Sequence, residues 1–112
     1  VKSSDATDLD RCELILELIA HVERRLGSKS EAEFLNDKDE IDLTAFRLSA
    51  IGETSNKLSA ALRERHPGIY AMRNIIAHDY STLEAALVWR AATERLNHLK
   101  SVCATEIGRR SQ

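Results

Sequence analysis

Apolar residues recur at steps of three and four along most of the chain, the period of an amphipathic helix. Leu9, Cys12, Leu16, Ile19, Val22 and Leu26 predict a first helix over about 8–26, with Gly27 as a stop just beyond it. Ser28-Lys29-Ser30-Glu31 has the form of a capping box and predicts a short helix ending near Leu35. After the polar run Asn36 to Glu40, the stripe Ile41, Ala45, Leu48, Ile51, Ser55, Leu58 and Leu62 predicts one long helix reaching Arg65. Gly52 inside it costs about 1 kcal/mol relative to Ala and points to close approach of another helix or a ligand, or is simply a costly residue. His66-Pro67-Gly68 breaks that helix. A shorter one is expected from Tyr70 to about His78. Ser81-Thr82-Leu83-Glu84 reads as a second capping box. It opens a last helix, to about Ile107, on Ala85, Val88, Ala92, Leu96, Leu99 and Cys103, with a frayed tail from Gly108.

No segment alternates as a strand would, so the fold class is all-α. Four main helices, one short extra helix and short connections imply an antiparallel bundle, a single domain over 1–112. A chain of 112 residues can bury a core without disulfides or metal. Charged residues at 30% and apolar residues at 43% suit a globular protein. The net charge of -2 supplies no overall positive field, so RNA binding would need a local basic patch. Cys12 and Cys103 lie in apolar stripes, outside any zinc spacing, and read as buried free thiols. There is no signal-peptide pattern and no apolar run long enough for a membrane span, so a cytoplasmic location without a membrane partner is expected.

The residues that can carry chemistry lie in Arg73-Asn74-Ile75-Ile76-Ala77-His78-Asp79-Tyr80. His78 falls at the end of its helix. Asn74, four residues earlier, shares its face. Arg73, five residues earlier, is turned by about 140° but is long enough to converge. A cation, an amide, an imidazole and a phenol suit RNA cleavage without a metal or cofactor. An imidazole can take the proton of the attacking 2′-OH or give one to the leaving 5′-oxygen. A guanidinium can hold two charged oxygens of the phosphorane. No carboxylate cluster offers a two-metal site. Arg-x4-His is common by chance, however. His78 can equally serve its helix end, and Tyr80 can be a core residue.

The flanking segments make the pattern specific. Asp10-Arg11 through Leu26, Glu33-Phe34-Leu35-Asn36-Asp37, Ala50-Ile51-Gly52-Glu53-Thr54-Ser55-Asn56-Lys57-Leu58-Ser59, Met72 through Tyr80, and Trp89 after Ala86-Leu87-Val88 occur in one order. In that order they resemble the HEPN superfamily, and within it the HepT-like (DUF86) toxins with their R-x4-H-x-Y motif. The resemblance implies a four-helix HEPN bundle that forms a homodimer, with two motifs facing one cleft. It implies a metal-independent endoribonuclease acting on tRNA or mRNA. Arg73 and His78 would be the catalytic pair, and Asn74 would orient one of them. Glu53, Lys57 and Asp79 would lie at the RNA cleft. It further implies a partner, an MNT-type nucleotidyltransferase antitoxin that AMPylates Tyr80 and so blocks RNA by charge and bulk. At one place the chain departs from the family pattern. Only Gly68, Ile69, Tyr70 and Ala71 separate Pro67 from Met72, where the family carries a longer stretch.

Two other classes remain open. One is a non-catalytic HEPN module that binds nucleotide or substrate for a nucleotidyltransferase. The other is a helical scaffold. Glu53 and Lys57, spaced i,i+4, can also be a plain surface pair. Arg63, Arg65 and His66 can guide RNA or complement a helix C-terminus, the second being preferred. His21 and His98 read as structural, and Arg109 and Arg110 as a solvated tail.

Overall fold

A computed structural model of the chain describes residues 4–69 and 84–110, and among these every regular element is helical. Helix α1 spans Ser4–Leu26, α2 Glu31–Leu35, α3 Lys38–Asn56 and α4 Ala60–Arg65. Helix α5, Ala85–Arg90, runs through a π turn, Ala91–Arg95, into α6, Leu96–Arg110. The expected helix from Tyr70 to His78 lies outside the described residues.

The core follows the stripes. Cys12, Ile19, Val22 and Leu26 of α1 are buried, together with Ile15, which the expected stripe omitted. They meet Ala45, Leu48 and Ile51 of α3, Leu62 of α4, and Leu96, Leu99 and Cys103 of α6. Phe34, fully buried, fixes α2 by a tilted ring contact with Trp89 at 5.2 Å between centroids. Cys12 and Cys103 are free and buried. The thiol of Cys103 is pushed up by its hydrogen bond with Cys12 and by burial, so it stays protonated. No helix among the described residues is long and apolar enough to cross a membrane.

Several boundaries differ from the periodicity reading. The capping box is at Ser30, two residues later than expected. Ser30 Oγ accepts from Glu33 N at 3.1 Å, and Glu33 accepts from Ser30 N at 3.0 Å. Gly27 does end α1, but no described glycine has positive φ. Its N–H donates to Glu23 O at 2.8 Å, and a Cβ there would stand 2.9 Å from that carbonyl. The expected long helix from Glu40 to Arg65 is two helices. Asp37 caps α3 through Glu40 N at 3.1 Å, so the helix begins at Lys38, two residues before the expected start. Ser59 then caps a separate α4 through Leu62 N at 3.3 Å. Leu58 and Leu62 stay buried across the break, so the apolar stripe runs on and conceals it. Ser81, Thr82 and Leu83 of the second expected capping box lie outside the described residues, and Glu84 is itself the N-cap of α5, with no capping bond from its side chain. The last helix also outruns the expected frayed tail, remaining regular to Arg110.

Candidate functional site

The described helices hold both ends of the chain that lead into the motif segment. Arg73, Asn74, His78, Asp79 and Tyr80 themselves lie outside the described residues. The approach from α4 is tied down at three points.

The first tie is Asp8, 3% exposed and one turn before Cys12. Its carboxylate accepts from Ser59 N at 2.9 Å and from Ser59 Oγ at 2.5 Å. The same Ser59 Oγ caps α4, so α1 fixes where α4 starts. The second tie is the C-terminal end of α3. The Arg11 guanidinium donates to Lys57 O, and that of Arg63 to Asn56 O. Both cations thus sit on the carbonyl end of the helix, where its dipole favours them.

The third tie is Glu106 on α6, 5% exposed. Arg65 Nη2 donates to Glu106 Oε1 at 2.6 Å and Arg65 Nε to Oε2 at 3.3 Å. His66 Nε2 lies 2.9 Å from Oε2, and Arg109 Nη2 3.4 Å from Oε1. The hydrogen bond from Arg65, aided by His66, outweighs burial and holds the Glu106 carboxyl down at about 2. Arg65 and His66 therefore act as partners of a buried carboxylate, where complementing a helix C-terminus was the expected role. Arg109 joins them rather than ending a solvated tail.

Past this anchor, Gly68 lies against His98. A Cβ on Gly68 would stand 2.6 Å from His98 Nε2. His98 is exposed, so its ring can swing away at modest cost. Gly68→Ala is expected to lose about 1 kcal/mol in urea unfolding, and nothing in a His98→Ala background. A loss that persists without the ring would place the cause in the backbone.

Glu53 and Lys57 are both exposed, toward the end of α3. Lys57 is the C-cap residue, beyond the last regular turn, and the two side chains form no ion pair among the described residues. The simple surface-pair reading of these residues is thus not met. His21 pairs with Arg24 at 2.9 Å within α1, a structural role as expected.

Sequence reasoning missed three buried carboxylates, Asp8, Glu40 and Glu106. Glu40 carries a two-bonded fork from Arg25, at 2.8 and 2.9 Å, which holds its carboxyl below the usual range despite burial. Their signal was present in the sequence. Asp8 is in phase with Cys12, Glu40 with Thr44, and Glu106 with Val102 and Cys103.

An all-α domain, with the Arg73–Tyr80 segment lying in the sequence between an anchored short helix and a long last helix, is the class that this architecture defines. Residues 15–105 match the family described as ribonuclease HepT-like, and the chain belongs to that family, within the HEPN superfamily. No solved structure matches the chain.

Proposed function

We propose that this protein is a metal-independent endoribonuclease, the toxin of a toxin–antitoxin pair. The observation that carries the reading is the R-x4-H-x-Y segment, Arg73 to Tyr80, standing within the span matched by the ribonuclease family. His78 moves the proton of the 2′-OH or of the leaving oxygen. Arg73 holds the charged oxygens of the phosphorane, Asn74 orients one of the pair, and Asp79, Glu53 and Lys57 border the RNA. One His78 supplies either an acid or a base. Two copies in a homodimer supply both.

The antitoxin is a nucleotidyltransferase of the MNT type. The Tyr80 oxygen attacks the α-phosphorus of ATP, pyrophosphate leaves, and the added AMP sets a negative charge beside the cleft. The acidic balance of the chain, with Arg65 and His66 tied to Glu106, supports a second reading as a non-catalytic module of the same transferase. Growth separates them. Expression of wild type is expected to arrest cells, while Arg73→Ala and His78→Ala are tolerated. Equal growth of all three with intact RNA would leave only the second reading.

A further inference from the structure

Cations that tie one helix to another mostly sit on a carboxylate in this fold. Arg25 of α1 meets Glu40, Arg65 of α4 meets Glu106, and Lys100 of α6 meets Glu23. Arg11 and Arg63 do not. From α1 and α4 they reach the same end of α3, where Arg11 donates to Lys57 O and Arg63 to the adjacent Asn56 O. Lys57 is itself exposed at that end. Arg11, Lys57 and Arg63 enter no ion pair among the described residues. Asp8, a turn before Arg11, is already held by Ser59.

The carbonyl end of a helix carries about half a negative charge, so these cations leave an excess of roughly two positive charges there. An anion relieves their mutual repulsion. Arg11 and Arg63 are half-buried, and each gives a single bond to α3. The other N–H donors of each guanidinium remain as a fork that fits a phosphate. Asn56 adds an unmet acceptor. Its Oδ1 is buried at this helix end and accepts no hydrogen bond. Such orphans are rare in folded proteins and mark a missing partner. As a residue Asn56 is only half-buried, so a turn of its amide presents that oxygen to a donor at the surface.

We propose that Arg11, Lys57 and Arg63 form a subsite for backbone phosphates of an RNA strand, with Asn56 accepting from a ribose 2′-hydroxyl. The identity of the ligand rests on the ribonuclease reading above, whereas the anion site does not. A chain of net charge -2 needs a local basic patch to hold RNA. Arg65 and His66, the neighbouring cations, are tied to Glu106 and cannot supply it. Arg11, Lys57 and Arg63 can. They come from three elements, which suits successive phosphates of a strand better than a free nucleotide. A 2′-hydroxyl lies near each phosphate of RNA and is absent from DNA, so the orphaned acceptor supplies a choice between the two.

Fluorescence anisotropy with a labelled single-stranded RNA tests it, in a His78→Ala background that leaves the strand uncut. Arg11→Gln and Arg63→Gln are each expected to weaken binding about three- to tenfold and to lower the slope of log affinity against log salt by about 0.7. Arg95→Gln, the same change of charge at an exposed position, is expected to do neither. Arg11→Lys and Arg63→Lys should keep the slope, which separates a lost phosphate contact from a loosened fold. Asn56→Ala is expected to erase the preference for RNA over DNA of the same sequence. Losses no greater than that of Arg95→Gln, or an unchanged slope, would overturn the subsite. Competition by AMP as strong as that by the strand would overturn its assignment to RNA. A preference for RNA that survives Asn56→Ala would overturn the role of Asn56. Cleavage by the same substitutions in the wild-type background separates the two readings. A cluster that binds RNA in a chain that never cleaves removes the ribonuclease and keeps the subsite. Cleavage with binding indifferent to Arg11 and Arg63 does the reverse.

Discussion

His78→Ala is expected to slow RNA cleavage by about 10²–10⁴-fold, the range supplied by one positioned acid or base. Arg73→Ala is expected to cost about 10²–10³-fold, because the charge on the phosphorane then meets no fixed donors. Arg73→Lys should recover only part of that loss, since an ammonium keeps the charge but not the two-pronged fork. These effects are far larger than those of any surface substitution, and cleavage of labelled RNA by purified variants reads them directly. Mixed dimers refine the result. A dimer with one His78→Ala subunit is expected to lose most activity if the two imidazoles act together. Retention of half would mean that each site works alone.

Glu106→Gln is the second large effect, and it falls on stability. The carboxylate is buried, and Arg65, His66 and Arg109 surround it. Its folded value of about 2 lies below the ordinary 4.5. A depressed carboxyl stabilises the fold at pH values above its unfolded value, and that stabilisation fades as pH falls from about 4.5 toward 2. At pH 7 the loss on substitution is on the order of 2–3 kcal/mol. Because Arg65 and Arg109 remain partly hydrated, the lower end is expected. Urea unfolding at pH 7 should show this gap between wild type and variant, and the gap should narrow as pH falls from about 4.5 toward 2. Equal stability at pH 7 would mean that hydration already meets the charges around Glu106. The substitution also loosens the end of α4 from which the chain passes toward Arg73, so a fall in cleavage should accompany it.

The apolar stripes were legible because burial repeats with the helical period. Cys12, Ile19, Leu48, Leu62, Leu99 and Cys103 all fell inside as their spacing predicts. What the stripes could not show were the places where a polar group sets the geometry. The break between α3 and α4 keeps the apolar period through Leu58 and Leu62, and it exists because Asp8 holds Ser59 from another helix. No local pattern contains that contact across the chain. The shifted capping box has a local cause. Ser28 and Ser30 are each followed three residues later by a Glu, and the box forms at Ser30 with Glu33. Arg65 and His66 are readable from the sequence as guides for RNA or, preferably, as complements of a helix C-terminus, and Glu106, about forty residues away, binds them instead. The family was legible from the order of five short segments, and residues 15–105 match it. The roles of Arg73, Asn74, His78, Asp79 and Tyr80 rest on their types and spacing.

The central claim is a metal-independent transesterification carried by Arg73 and His78. The direct measurement is the chemistry of the RNA ends made by purified protein in the presence of a chelator. Fragments ending in 2′,3′-cyclic phosphate and beginning with 5′-hydroxyl are predicted for wild type, and none for His78→Ala. Intact RNA with wild type, or fragments made equally by His78→Ala, would contradict it.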